Sequence, residues 1–396
     1  MTGISETTGR RLRVLLIYRA LIPSIRVCGH CQLQWLEGQG KLEYRAIQEL
    51  ALSIEDMNWA DIVVLGRLDS WYEHELATLL HRAGKYMLYI LDDDLPHIST
   101  YVSSAAYYGQ DEIRGYILRM IEYSKGLISP SPLLLEKYAG DGKQAIQLEE
   151  PAINPVQYSP RHREGPVRIG FAGSIDRIQD IDRILGDALT RIHEEYGDGV
   201  IFEFFGAIPS VAEKLGARCI PYTESYDSYR QTLNDLQWDI GLAPMPDTPF
   251  HACKHYNKFS EYAAAGIVGI FSDVYPYTRI KAFPECAVFC DNTPESWTQA
   301  IKALIGDPDR RERYCKQVIQ CAREALSVPR SAAQLEAGLP DLATIEPAQS
   351  IRHAGLGFLK IRGMQKRLLT KIRGYGVKGA IEAIGRKTRD AIRSRH

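Results

Sequence analysis

Residues 166–206 read PVRIGFAGSIDRIQDIDRILGDALTRIHEEYGDGVIFEFFG. The first run, PVRIGF, is apolar and of strand length, and it ends in the turn Gly173-Ser174. In the segment that follows, Ile181, Ile184, Leu185, Ala188, Leu189 and Ile192 recur at the spacing that places them on one face of a helix. VIFEFFG (200–206) is a second apolar run. A strand, a helix and a strand in that order require a crossover, so the two strands lie parallel in a sheet covered on both faces.

The same alternation extends in both directions. Toward the C-terminus come a helix at about 226–237, the strand DIGLAPM (239–245), the stretch KHYNKFSEYAAAGIVGIFSDV (254–274), CAVFCD (286–291) and helices from 295 to about 326. Toward the N-terminus, LRVLLIY (12–18), ADIVVLGRL (60–68), KYMLYIL (85–91), KGLISP (125–130) and QAIQL (144–148) are strand-like. Helical stretches at 73–83 and 111–124 separate some of them. At 150–166 the pattern breaks into an aperiodic run with four prolines, which reads as a linker. The expected organisation is α/β, with two Rossmann-like doubly wound parallel-sheet domains at 12–150 and 166–326. A lead-in (1–11), the linker (151–165), a connector (327–350) and a basic tail (351–396) complete the chain.

Composition fits this reading. Apolar residues make up 45% and charged residues 24%, as in globular proteins. The net charge of −1 hides an asymmetry: residues 351–396 carry 13 Lys/Arg against Glu382 and Asp390, a net of +11, leaving about −12 on the rest. The N-terminus is polar, and no apolar run approaches the roughly 18 residues of a membrane span. A reducing cytosol with ordinary thiols is expected. Cys28-Gly-His-Cys31 lacks the second pair that a zinc site would need, so no metal is expected there. In the tail, Ile361, Met364, Leu368 and Ile372 can share one helical face, and Val377, Ile381, Ile384 and Ala391 another. Basic residues fill the remainder, which suggests an anionic membrane surface as partner and no nucleic acid.

Ligands of open parallel sheets bind beyond the carboxyl ends of the strands. Gly173 and Ser174 lie at such an end, before a helix whose N-terminus attracts anions, and Arg177 is a candidate phosphate partner on the same loop; the alternative is a tight turn with no ligand. In CKHYNKFSEYAAAG (253–266), Asn257 is the expected N-cap and Gly266 the residue that ends the helix. Lys254 and Lys258 then stand at a helix N-terminus against its dipole, an arrangement that calls for an anion such as a diphosphate. The alternative is solvated lysines, with Glu261 merely supporting the helix start.

The segment 239–274, with its K-x-x-x-K-F-x-E-Y-A-A-x-G core, resembles the donor-binding segment of family 4-like bacterial glycosyltransferases of the GT-B fold. GFAGS (170–174) matches that family's first loop of the C-terminal domain, and LEEPAINPVQY (148–158) resembles its interdomain segment. The resemblance implies a retaining transfer of a hexose from a nucleotide diphosphate sugar, bound in a cleft between the domains, to a glycan or lipid-linked acceptor. It implies that Glu261 holds the ribose hydroxyls and that Gly173, Ser174, Arg177 and Lys258 surround the diphosphate, with Lys254 and Asn257 also on the donor side. No cofactor beyond that donor is expected. The first of the family's two glutamates is replaced here by Cys253, and its usual lysine-glycine pair reads Gln179-Asp180.

On the N-terminal side, the resemblance makes His97 the candidate catalytic contact to the transferred sugar or the acceptor, as for a histidine in the same loop region of the family, and Gly29, Asp93 and Asp94 are acceptor-side candidates. Asp92-Asp93-Asp94 also admits a rival reading as a metal-dependent transferase, since oxygen ligands at a strand end suit Mg²⁺ or Mn²⁺. A non-catalytic nucleotide-sugar or carbohydrate-binding module is the third reading. The expected setting is cytoplasmic, peripheral at the inner membrane, in the synthesis of a bacterial surface polysaccharide.

Overall fold

The computed structural model describes residues 10–373 apart from 101, 103, 141, 160–164, 224, 353–354 and 371. The expected lead-in at 1–9 and the second apolar face of the tail, at 377–391, lie outside the described residues. The chain divides into two compact units. Among the described residues, one comprises 10–96, 107–148 and 332–373, and the other 97–106 and 149–331.

The first unit holds a six-stranded parallel sheet: β1 (Leu12–Tyr18), β2 (Leu42–Gln48), β3 (Ile62–Gly66), β4 (Tyr86–Ile90), β5 (Gly126–Ser129) and β6 (Gln144–Gln147), in the order β2-β1-β3-β4-β5-β6. The central strands are buried on both faces, which is why β3 reads as an uninterrupted apolar run. Edge strand β2 was not anticipated. Only Leu42 of it is buried, and charged residues interrupt it, but it pairs in register with β1 from Leu12↔Leu42 to Tyr18↔Gln48. Helix α1 (Trp71–Arg82) follows β3.

The second unit repeats the plan with β7 (Val167–Gly173), β8 (Val200–Gly206), β9 (Arg218–Ile220), β10 (Ile240–Ala243), β11 (Val268–Ser272) and β12 (Ala287–Cys290), ordered β12-β11-β10-β7-β8-β9. Helix α2 (Ile178–Tyr196) buries the six apolar positions read from the sequence, against Phe202 and Phe204 of β8 and Trp297 and Ile301. On the other face of the sheet Trp238, Phe205, Phe259, Tyr262 and Phe271 form a second layer, packed by α3 (Tyr226–Leu236) and α4 (Asn257–Ala265). Three-residue β9 is the second missed strand, too short and too exposed to show a period.

Gly170 explains how the aromatic layer closes on β7. A Cβ there would lie 2.0 Å from the Trp238 ring, whose Nε1–H donates to the buried Glu203 carboxylate at 2.8 Å. Gly170→Ala is therefore expected to destabilise the second unit by about 1–3 kcal/mol or more through overpacking, read as a lower urea midpoint. A variant as stable as the parent would show that Trp238 has room to move.

The expected connector is not irregular. It contains α5 (Val328–Gly338), whose Ala332 and Leu335 are fully buried in the core of the first unit beside Leu88, Ile128 and Ile146. Few apolar residues are needed where they are this deeply buried, and so the periodicity is faint. The tail is likewise ordered through a helix, α6, at residues 356–370.

Candidate functional site

The carboxyl ends of β7, β8 and β10 converge on a small set of loops. Gly173 pairs with Gly206 at the last register position of β7 and β8. Gly206 has φ +84°, and a Cβ on it would lie 2.4 Å from the Gly173 carbonyl oxygen and 3.1 Å from the Tyr222 ring. Glycine is therefore required there for steric as well as conformational reasons. Ser174 is exposed, and it precedes a short 3₁₀ turn, Ile175–Arg177. Beyond β10, the Met245 N–H donates to Ser272 Oγ at 2.8 Å, and Asn292 Nδ2 donates to the Met245 carbonyl at 2.8 Å. These bonds fix the loop after β10 to the ends of β11 and β12.

Arg177 is held by this loop. Its Nη2 donates to the Pro244 carbonyl at 2.5 Å, and its Nη1 lies 3.4 Å from Asp180. Asp180 is a buried carboxylate that also approaches Arg183 at 3.5 Å and His251 Nε2 at 3.9 Å. Burial raises its pKa, while the charges of Arg177, Arg183 and Lys254 work the other way. The Lys254 ammonium lies 4.6 Å from the Phe250 ring centroid. Arg177 and Arg183 flank Asp180 at helical spacing, but its approach to His251 and Lys254 comes only through the fold and left no mark in the sequence.

Helix α4 begins one residue earlier than expected in its capping. Tyr256, not Asn257, is the N-cap residue, and it makes no side-chain cap bond. Asn257 is diverted: its Oδ1 pairs with His255 Nδ1 at 2.7 Å. Gly266 closes the helix in the left-handed conformation (φ +66°), as expected. Lys258 Nζ lies 2.5 Å from Glu261 Oε2 and 3.2 Å from the Tyr229 hydroxyl, which itself donates to Glu261 Oε2 at 2.8 Å. The counter-charge to Lys258 at the helix mouth is thus Glu261, one turn along. Glu261 Oε1 takes no hydrogen bond among the described residues. Tyr229 stacks on Phe205 at the end of β8 with ring centroids 5.0 Å apart, which places the Lys258–Glu261 pair beside the strand ends. Burial and then Glu261 push the Tyr229 hydroxyl well above its ordinary pKa, so it stays a donor. Glu261 also borders a shallow depression lined by Pro151, Ile153, Arg230 and Leu233.

A brace lies behind this helix mouth. Glu149 Oε2 pairs with His255 Nε2 at 2.9 Å and accepts from the Tyr256 hydroxyl, and Glu149 Oε1 accepts from Arg279. Burial pushes the Glu149 pKa up, but hydrogen bonds from His255 and Tyr256 and the charge of Arg279 outweigh it and hold the group ionised at lower pH. Glu149 lies about a hundred residues before its partners, and nothing local marks it.

In the first unit, Gly29 is buried with φ +134°, and a Cβ on it would meet Ile90 Cδ1 at 2.8 Å. Its N–H donates to Gln32 Oε1 at 2.8 Å. The aspartates after β4 are each engaged by cations: Asp92 accepts two bonds from Arg67 at 3.0 and 2.7 Å, and Asp93 lies 3.6 Å from Arg67. Asp94 accepts from Lys137 at 2.7 Å and from the Tyr138 hydroxyl at 2.5 Å. His97 ends the short turn Leu95–His97, and the chain from His97 to Ala106 groups with the second unit, whereas the three aspartates belong to the first. The structure brings Arg177, Lys258 and Glu261 to the strand ends of the second unit and leaves Gly29, Asp93 and Asp94 in the first.

No family model matches the chain, and no curated protein matches it in sequence. Solved structures match its fold. The Anabaena protein HepE, in complex with UDP and glucose, superposes with a TM-score of 0.58 at 12% identity over 82% of this chain and 98% of its own. An alpha-glucosyltransferase in complex with UDP-glucose and DNA containing an abasic site gives 0.58 at 11% identity, over 84% and 100%. A Listeria monocytogenes protein assigned as a UDP-N-acetylglucosamine 2-epimerase gives 0.51 at 13% identity, over 83% and 95%. The chain has the GT-B fold, two Rossmann-like domains each built on a six-stranded parallel sheet.

Proposed function

We propose that this chain is a retaining glycosyltransferase that moves a hexose from a nucleoside diphosphate donor held by its second domain. The observation that carries the reading is the open Oε1 of Glu261, on a carboxylate that Lys258 and Tyr229 hold beside the strand ends. A carboxylate with one oxygen anchored and the other open is suited to accept the hydroxyls of a ribose. The helix N-terminus, Lys258 and Arg177 supply positive charge for a diphosphate. The structures of similar fold that hold UDP or UDP-glucose support a sugar nucleotide as the ligand. GT-B folds host several chemistries, so transfer itself rests on the motif at 254–266 and on this geometry.

The reaction breaks the bond between the anomeric carbon and the diphosphate oxygen. It forms a bond from that carbon to an acceptor hydroxyl on the same face, and the acceptor proton passes to the departing phosphate oxygen. Sugar, proton and nucleoside diphosphate are all accounted for, and no side-chain nucleophile is needed. Lys258 and Arg177 stabilise the charge gathering on the leaving group. Asp180 and the Glu149 brace hold these groups in place. His97 is the proposed contact to the sugar or acceptor, and Gly29, Asp93 and Asp94 form the acceptor side. No metal takes part in this reading: Arg67 and Lys137 already neutralise the aspartates at the end of β4. The acceptor is a glycan or a lipid-linked glycan in bacterial surface polysaccharide synthesis.

Thermal shifts with UDP-, GDP- and dTDP-sugars test the donor site. One of these raises the melting temperature of the parent and not that of Glu261→Ala, since a ligand at a hundred times its Kd adds about 2.7 kcal/mol. A shift equal in both proteins would remove Glu261 from the site. Product analysis separates transfer from epimerisation of the same sugar nucleotide.

A further inference from the structure

Helix α6 at 356–370 packs with its polarity reversed. A surface helix of a globular protein turns its apolar stripe inward and its charges to water. Here the inward side is charged. Arg367 Nη1 reaches Glu49 at 3.0 Å and its Nη2 reaches Glu73 at 3.3 Å, and both carboxylates are fully buried. Lys360 Nζ donates to the Leu52 carbonyl at 3.0 Å. Lys366 and Arg362 lie over the Trp71 ring at 4.8 and 5.3 Å. Gly363 lets the helix approach α1 so closely that a Cβ would sit 2.4 Å from Tyr72 Cβ. The outward side carries Phe358, Ile361, Met364, Leu368 and Leu369, between 42% and 66% exposed. Sequence spacing puts these five on the face opposite Lys360, Gly363 and Arg367.

We propose that this outward stripe is a docking surface for an anionic lipid bilayer. Five large apolar side chains in a row on one helix form a contiguous patch of the kind that marks an interaction site. The charge around it selects the partner. Residues 351–396 carry a net of +11, and helical spacing puts exposed Arg362, which reaches over Trp71, at the border between the packed face and the stripe. Two copies meeting stripe to stripe would bring two such segments together, which opposes self-association. A bilayer with anionic headgroups satisfies both features, taking the apolar side chains into its interface while attracting the basic flank. The ion pairs through Arg367 clamp the helix to the first domain, so that docking fixes that domain against the surface. This inference is independent of the donor chemistry.

The test is flotation of the full chain with phosphatidylcholine vesicles and with vesicles that also contain phosphatidylglycerol. The parent is expected to float with the mixed vesicles and not with phosphatidylcholine alone, and less so at high salt. The variant Phe358→Ser/Ile361→Ser/Leu368→Ser alters only exposed positions, so its melting temperature should match the parent, and its partitioning should fall at least about tenfold. If the variant partitions like the parent, the basic residues act without the stripe and the proposal fails. It fails equally if the parent ignores both vesicle types, or if the substitutions convert an oligomer to a monomer while the parent stays in solution.

Discussion

Lys258→Ala lowers turnover of the proposed transfer by about 10²–10³-fold, with a smaller change in KM. The lysine is expected to act most strongly once the diphosphate is leaving and its charge is growing. In the resting protein Lys258 is shared between Glu261 at 2.5 Å and the Tyr229 hydroxyl at 3.2 Å. Removing it strips Glu261 of its charged partner but leaves the hydrogen bond from Tyr229, so the ribose contact survives and donor binding weakens modestly. Glu261→Ala has the opposite signature, a loss of donor affinity. The pair is at i and i+3 on one helix with both side chains largely buried, and Tyr229 stays as a partner to whichever member remains, so deleting either one is expected to lower stability without unfolding the domain. Steady-state kinetics of the two variants, with thermal melts as the folding control, provide the check. A Lys258→Ala enzyme with parental turnover would place the leaving group elsewhere.

The contrast between what the sequence disclosed and what it hid follows from range. Strands β1 and β8 were legible to the residue, because a continuous apolar run bounded by turns admits few other structures. The six inward positions of α2 were legible because a period of 3.6 is local. Edge strands β2 and β9 were not, since a strand exposed on one side and at its edge needs no apolar pattern. Within the site, the sequence reading gave Lys258 a ligand anion as its counter-charge, whereas the structure pairs it with Glu261 one turn along, and the third member, Tyr229, comes from another helix. Asn257 reads as a cap in one dimension and fails as one because His255 captures it in three. Glu149 carried no signal at all, because His255, Tyr256 and Arg279 are brought to it by a distant chain segment, and Asp180 showed only its neighbours Arg177 and Arg183, while His251 reaches it through the fold. The tail shows the same limit, since its amphipathic pattern was readable and its inverted orientation was not.

That inversion rests on a buried ionic cluster whose central member is Glu73, and Glu73→Gln is expected to destabilise the first domain by about 3–5 kcal/mol. Glu73 is fully buried and accepts from Arg19 at 2.9 and 2.6 Å, from the N–H groups of Asp69 and Ser70 at 2.7 Å, and from Arg367 at 3.3 Å. A glutamine fills the same space and can keep part of the helix start, but it leaves two arginines facing a neutral group. Burial alone would raise the Glu73 pKa; Arg19 and then Arg367 overcome it and bring it from 4.5 down to about 2. A carboxyl depressed on folding stabilises the folded state at pH above its unfolded value and loses that contribution as the pH falls through its folded value. The loss therefore runs from about 4.5 to about 2. Neighbouring Glu49 behaves oppositely. Burial and the charge of Glu73 raise its pKa, despite Arg367, and one of its oxygens, Oε2, is buried without a partner among the described residues. Its ionisation opposes folding, so acid relieves it before Glu73 protonates. The parent should consequently hold its stability through the upper part of the acid range and lose it steeply below about pH 4.5, whereas Glu73→Gln starts lower and has a flatter limb there. With the Glu73 charge gone, Glu49 also returns toward an ordinary carboxylate and becomes the main partner of Arg367, which is why α6 should remain docked, though more weakly. Urea midpoints of the full chain across this pH range decide it: parallel curves for parent and variant would mean that Glu73 does not carry the acid dependence.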